Sequence, residues 1–102
     1  MPLMQVTIIP VGTNSTGVGH FITDIIDFIE KQENIEYELN DMGTEIYGSI
    51  NELFSLAAKI HELPFKNGAR RVISQIMIDD RRDIDRKIGE KKQAVIDQLR
   101  LP

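Results

Sequence analysis

The order of apolar patterns along the chain is the feature that most constrains its fold. The first run, Leu3–Val11, contains a β-branched cluster that favours a strand. Apolar residues at three- and four-residue spacing over residues 21–29 then predict an amphipathic helix ending near Lys31. Residues 35–40 alternate between apolar and polar side chains, which is typical of a strand with one solvent-exposed face.

The second half of the chain repeats this scheme. Residues 41–43 predict a turn, and residues 44–50 a returning strand. Asn51 is expected to cap a second helix, which Pro64 either ends or kinks. Residues 70–78 predict the last strand. Three acidic residues then favour the start of a third helix, namely Asp79, Asp80 and Asp83. The apolar stripe of this helix is sparse and consists of Ile84, Ile88, Val95 and Leu99.

The predicted order is therefore strand, helix, strand, strand, helix, strand, helix. This order predicts an α+β fold: a ferredoxin-like βαββαβ sandwich with an antiparallel sheet and an added C-terminal helix. A length of 102 residues suits one such domain spanning residues 1–102, since domains usually hold about 100–150 residues.

Two of the predicted strands are apolar on both faces. In the first, Met4, Val6 and Ile8 alternate with Leu3, Ile9 and Val11. In the last, Ile73 and Met77 oppose Val72, Ile76 and Ile78. Two helices cover only one face of a four-stranded sheet, so the other face needs the third helix or a second copy of the chain as its cover. We expect association between copies.

Composition excludes several classes of function. Twelve lysines and arginines against sixteen aspartates and glutamates give a net charge of −4, which argues against a general binder of nucleic acid or anionic membranes. The absence of cysteine excludes disulfides, thiolate metal sites and cysteine nucleophiles. The start of the chain resembles no signal peptide, and no apolar stretch approaches the ~20 residues of a membrane span. A cytoplasmic location is therefore expected.

Two polar segments are candidates for chemistry. The glycine-rich loop over residues 12–19 follows a strand and opens a helix, so its amides or hydroxyls are candidates for ligand binding; the alternative is a turn and helix cap. The acidic run over residues 79–86 offers oxygen ligands, but its interleaved arginines favour helix capping and ion pairs over magnesium. His20 and His61 are isolated, and no nucleophile motif is present. We expect no catalytic residue, metal or cofactor.

Three segments taken together resemble the small thiamine-binding proteins, a group long catalogued as an uncharacterised conserved family. They are Ile-Ile-Pro-Val-Gly-Thr at residues 8–13 with Ser15 and Thr16, Asp-Met-Gly-Thr at 41–44, and Ile-Asp-Asp-Arg-Arg-Asp at 78–83 with Asp85 and Arg86. The resemblance covers essentially the whole chain. It implies a ferredoxin-like fold, dimers that assemble into tetramers, no catalysis, and binding of thiamine or its hydroxymethylpyrimidine part near subunit interfaces.

The ligand implied by this resemblance needs particular groups. An aminopyrimidine requires a carboxylate or carbonyl beside a hydroxyl or amide, and a thiazolium cation favours an aromatic face or an acidic neighbour. The family often has an acidic residue directly before the glycine at position 48, where this chain has Tyr47; Glu45 lies on the same strand face. The expected contacts are Thr44, Glu45 and Tyr47, followed by Thr13, Ser15 and Asp79.

The predicted topology places these contacts at two ends of the sheet. The turn at residues 42–44 and Asp79 are expected at one end, and the loop at residues 13–16 at the other, roughly 20 Å away at ~3.3 Å per residue. Such groups would meet only across an interface between copies. Arg81 and Arg82 are expected to form ion pairs that orient the third helix, with phosphate contact if the ligand is esterified.

Two other functions stay open at this point. One is a structural or regulatory oligomerisation module with no small-molecule ligand. The other is an enzyme acting on a thiamine precursor, with Glu45 or Asp79 as the base.

Overall fold

The computed structural model describes residues 1–12, 19–85 and 87–101. Within them the elements follow in the predicted order, which confirms the α+β class. They are β1 (Leu3–Val11), α1 (Gly19–Glu30), β2 (Glu36–Asn40), β3 (Gly43–Tyr47), α2 (Ile50–Lys66), β4 (Arg71–Asp79) and α3 (Glu90–Leu99).

The four strands form one open sheet in the order β2-β3-β1-β4, and every neighbouring pair is antiparallel. β1 therefore lies in the centre, where it pairs with β4 along its whole length, from Leu3 opposite Asp79 to Val11 opposite Arg71. The crossovers through α1 and α2 produce this order. It is the ferredoxin-like arrangement that the sequence predicts.

The core lies on one face of the sheet only. Alternate residues of β1 (Met4, Val6 and Ile8) are buried against α1 and α2, whose buried side chains include Ile25, Ile29, Leu53 and Ile60. Because side chains alternate along a strand, Leu3, Ile9, Ile73 and Met77 point to the opposite face, which we call the open face. Two-sided apolar strands are thus confirmed.

The cap of α2 differs from the prediction. Ser49, not Asn51, is the N-cap residue, and its Oγ accepts a hydrogen bond from the Glu52 backbone N–H at 3.3 Å. Asn51 lies two residues after Ser49 and is the second residue of the helix, so it does not occupy the cap position. Pro64 does not end α2, which continues to Lys66.

The predicted start of α3 is wrong. Asp79 ends β4, residues 80–85 lie in an irregular connection, and the helix begins only at Glu90. The guanidinium groups of Arg81 and Arg82 bind Asp83 and Asp80, two residues away in each case, and these local pairs are formed without helical backbone. They therefore do not reach α3 to orient it. At the helix start, Gly89 has a φ of 89°, a left-handed conformation that favours glycine and interrupts the helical path.

α3 stands largely outside the packed layers. It has no buried residue, and Val95 and Leu99 are 55% and 78% exposed. The radius of gyration is 15.4 Å, whereas a compact domain of this length would have about 13 Å. Among the described residues, no helix has the length and apolar character needed to cross a membrane.

The strand register corrects the predicted positions at the sheet ends. β3 and β4 both run antiparallel to β1, so they are parallel to each other and their last residues lie at the same end. Tyr47 and Asp79 accordingly flank Leu3. The turn that precedes β3 lies instead beside Thr7, whose Oγ1 donates a hydrogen bond to the Met42 carbonyl at 2.9 Å. This turn and Asp79 do not share one end.

Candidate functional site

A cavity of about 600 Å³ lies between the open face of the sheet and α3. Its floor comes from the sheet and its wall from α3 and the connection before it. This volume is in the range of sites that bind drug-sized molecules, roughly 300–1,000 Å³. We call it the open-face cavity; its lining includes Leu3, Glu38, Glu45, Asp79, Lys87, Lys91 and Lys92.

Two carboxylates of the cavity floor are direct neighbours. Glu38 of β2 pairs with Glu45 of β3 in the strand register, and both side chains face the cavity. The alternation of the strands imposes this orientation, because Tyr37, Thr44 and Ile46 point to the core side. Neither carboxylate forms an ion pair with any cation of the described residues. Like charges directly opposite each other destabilise a sheet, so this pair is an electrostatic cost that a bound cation would relieve.

The opposite wall of the cavity is basic. Lys87, Lys91 and Lys92 line it, and within the part of the chain that the structure describes none of them pairs with a carboxylate. Arg81 also lines the cavity, but its guanidinium binds Asp83 through two hydrogen bonds of 2.7 and 3.0 Å. These bonds hold the pKa of Asp83 below its ordinary value. The cavity thus has an acidic floor and a basic wall.

Tyr47 connects the sheet to the segment that leads to α3. Its side chain is buried, and its hydroxyl donates a hydrogen bond to Asp85 Oδ1 at 3.1 Å. Burial and this bond raise the pKa of Tyr47. The amino group of Met1 also binds Asp85, and this contact, together with the Tyr47 bond, lowers the pKa of the Asp85 carboxyl. Tyr47 therefore connects the end of β3 to the segment before α3 and does not line the cavity.

The other predicted contacts are distributed over both faces. Asp79 lines the open-face cavity together with Glu45. Thr44 is buried on the core side of the sheet, where it lines a separate crevice of about 300 Å³ next to Met42. The sheet itself separates Thr44 from Glu45, since adjacent residues of a strand face opposite ways. Thr13 and Ser15 lie outside the described residues.

The structure also adds residues that sequence reasoning missed. Glu38 belongs to the site because a two-residue turn sets Asn40 opposite Gly43, and this register places Glu38 opposite Glu45. The hairpin turn in the sequence would have allowed that step. No sequence pattern would have predicted the lysines of the wall as site residues, because their position depends on how α3 lies against the sheet. Among the described residues, no group of three or more His, Cys, Asp or Glu is arranged to hold a metal ion.

This chain is similar in sequence to curated proteins and similar in fold to solved structures. The UPF0045 protein in the glkA 3′ region of Staphylococcus xylosus is 42% identical over 98 residues, which cover 93% of this chain and 92% of that protein. The UPF0045 protein YqgV of Bacillus subtilis is 38% identical, with coverage of 93% and 94%. Of the solved structures, hypothetical protein MJ1052 of Methanocaldococcus jannaschii has a TM-score of 0.81 at 29% identity and covers 92% of this chain and 94% of its own.

A further solved structure is similar in fold. The putative thiamine biosynthesis/salvage protein TM0486 of Thermotoga maritima has a TM-score of 0.76 at 18% identity, with 92% of this chain and 97% of that chain covered. The family model described as thiamine-binding protein matches residues 4–96. The match extends from β1 into α3 and includes both sides of the open-face cavity. The chain therefore belongs to the thiamine-binding protein family.

Proposed function

We propose that this protein binds thiamine or a related hydroxymethylpyrimidine compound in the open-face cavity, without catalysis. The observation that carries the proposal is the pair formed by Glu38 and Glu45, two adjacent carboxylates that face the cavity and have no cationic partner among the described residues. The family description and the putative thiamine salvage role of TM0486 support the class of ligand.

The chemistry of the cavity suits such a ligand. A thiazolium ring carries a permanent positive charge, which the two carboxylates would neutralise at close range. An exocyclic amine on a pyrimidine donates hydrogen bonds that a carboxylate accepts. Leu3, Ile84 and Ile96 supply apolar surface beside these groups, against which a flat heterocycle can pack.

A denaturation assay with ligand tests the proposal. Thiamine and hydroxymethylpyrimidine are each added at millimolar concentration, and the melting temperature and the heat of binding are measured. Binding to the native state alone contributes about 2.7 kcal/mol to the free energy of unfolding at a hundredfold excess over Kd. Glu45→Gln and Glu38→Gln should each reduce the shift. If neither compound moves the melting curve of the unaltered protein, the proposed function is wrong.

Glu36→Gln is the matched control for this experiment. Glu36 is exposed, belongs to the same strand as Glu38 and points to the same side, but it does not line the cavity. The substitution removes the same charge, so a general electrostatic effect on ligand binding would appear in both variants. Specific binding requires that Glu36→Gln retain the shift.

The same ligands separate binding from turnover. If Glu45 or Asp79 served as a base on a thiamine precursor, product would form, and Glu45→Gln or Asp79→Asn, respectively, would abolish it. We propose that the ligand is instead recovered unchanged after incubation, as mass spectrometry of the incubated mixture would show. Formation of a new product by the unaltered protein would contradict this part of the proposal.

We further propose that the working unit in the cytoplasm is an oligomer of this chain. The observation that favours it is the exposure of apolar side chains on α3, directly after it and on the open face, namely Val95, Leu99, Leu101, Ile73 and Met77. An oligomerisation module without a ligand is the second candidate function, and the same exposure favours it. The ligand assay distinguishes the two, because a pure assembly module would show no shift with either compound.

A further inference from the structure

We infer that the open-face cavity selects a phosphate ester, with the heterocycle on the acidic floor and the phosphate against the lysines of the wall. This inference rests on the proposed function, since it concerns the same cavity and specifies the form of the ligand. The compound class is the monophosphate of thiamine or of hydroxymethylpyrimidine.

The separation of charge between elements is the first support. The carboxylates of Glu38 and Glu45 come from the hairpin of β2 and β3, and Asp79 ends β4. The amines of Lys87, Lys91 and Lys92 come from the connection and from α3. A ligand that lies between the two elements meets negative charge on one side and positive charge on the other. A heterocycle that carries a positive charge or donates hydrogen bonds therefore suits the floor, and an anionic group suits the wall.

The availability of the lysines is the second support. Arg81 is occupied by Asp83, whereas the three lysines have no ion-pair partner among the described residues. Lysine binds phosphate as a flexible point charge and needs no fixed fork geometry. A ligand with a positive charge alone would use the floor and leave three ammonium groups facing the same cavity without an anion.

The start of α3 adds to this basic wall. Lys91 and Lys92 lie in its first turn, and the N-cap Gly89, which also lines the cavity, provides no side chain to cap the helix. The N–H groups of a first turn and the helix dipole favour an anion. The backbone and the two lysines thus act in the same direction at this wall, and Glu90, the acidic residue of the same turn, does not line the cavity.

Pairwise comparison of ligands tests the inference. Isothermal titration with thiamine and thiamine monophosphate, and with hydroxymethylpyrimidine and its phosphate, measures the preference for the ester within each pair. We expect each ester to bind at least tenfold more tightly than its parent compound. The preference should shrink at higher ionic strength, because salt screens charge interactions at an accessible wall.

A double variant assigns the preference to the wall. Lys91→Gln with Lys92→Gln should reduce the ester-to-parent affinity ratio to nearly one. Both lysines are exposed, so the fold is expected to tolerate the change. Lys59→Gln with Lys66→Gln is the control, because it removes the same charge from exposed positions of α2 that do not line the cavity.

The outcomes separate this inference from the proposed function. Equal affinity for ester and parent, or a preference that survives in the Lys91 and Lys92 variant, would overturn the phosphate inference while thiamine binding stands. Inorganic phosphate that binds as tightly as the esters would also overturn it, because the heterocycle would then contribute nothing. If no compound of either pair binds, the proposed function itself fails.

Discussion

Glu38 and Glu45 occupy directly opposed positions on β2 and β3, and both face the open-face cavity. A stable sheet gains nothing from two adjacent like charges, so stability does not explain their presence there. Binding sites often retain such locally unfavourable groups because a ligand compensates them. The pair is therefore the feature of this fold that connects its structure most directly to binding.

Removal of one charge of this pair should stabilise the free protein. We expect Glu45→Gln to raise the free energy of unfolding by about 0.2–1 kcal/mol, because a neutral amide of the same shape removes the cross-strand repulsion. Urea denaturation without ligand measures the change. Glu36→Gln should have a smaller effect, since its register partner is Tyr47. A loss of stability in Glu45→Gln would mean that the carboxylate has a structural partner.

Ser49 should contribute to stability where Asn51 does not. Ser49→Ala removes the acceptor for the Glu52 backbone N–H, and the loss of such a cap costs ~1 kcal/mol. Asn51→Ala changes an exposed residue already inside α2, so it should leave stability unchanged or slightly higher. Thermal denaturation of both variants compares them directly. A larger loss from Asn51→Ala would contradict the assigned helix start.

Gly43 is required by a close approach between strands. A Cβ at this position would lie 2.7 Å from Thr7 Oγ1 and 3.0 Å from the Val6 carbonyl oxygen. Thr7 cannot turn away without losing its hydrogen bond to Met42. We expect Gly43→Ala to lower the free energy of unfolding by about 1–3 kcal/mol, the usual range for overpacking. Gly19→Ala is the control, because no heavy atom of the described residues, apart from its chain neighbours and its own helix backbone, lies within 4 Å of its Cβ position; equal effects would contradict this explanation.

Tyr47 should make the protein sensitive to alkaline pH. Its pKa is raised from 10.0, first by burial and then by the hydrogen bond to Asp85, so the folded protein holds the phenol proton more tightly than the unfolded chain. This contribution is present in full below the unfolded value and is lost as pH rises through the folded value. Tyr47→Phe should therefore show a smaller loss of stability above pH 10 in denaturation series.

Tyr37 provides the comparison for that series. Its pKa is also raised, in this case mainly by its hydrogen bond with Glu30, and it stays in the Tyr47→Phe variant. Tyr37→Phe should remove a separate part of the alkaline sensitivity. If the stability of Tyr47→Phe depends on pH in the same way as that of the unaltered protein, the pKa of Tyr47 is not raised by folding.

Leu99 should report on assembly. It is 78% exposed on α3, so Leu99→Gln is not expected to unfold a single chain. If copies associate through α3, the substitution should lower the molar mass measured by light scattering at micromolar concentration. Glu62→Gln, at an exposed position of α2, is the control and should leave the mass unchanged. A monomer in the unaltered protein would contradict the proposed assembly.

Local patterns determined the elements and their order. Alternation predicted the strands, three- and four-residue spacing predicted α1, and the order of elements was sufficient for the ferredoxin-like topology. The two-sided character of β1 and β4 was also readable, because strand period alone assigns Leu3 and Met4 to opposite faces. The start of α2 after Ser49 and the start of α3 at Glu90 could not be predicted, since Asn51 and the acidic run offer equally good capping residues.

The site shows the limit of such patterns. Glu45 and Asp79 were predicted and share the cavity, whereas Thr44 lies beyond the sheet and Tyr47 holds the segment before α3. The sequence by itself determined which residues belong to each face, because strand alternation is a local property. Only the tertiary structure decided that the hairpin carboxylates face the lysines of α3, because that juxtaposition depends on the path of an irregular connection. No local period describes such a path.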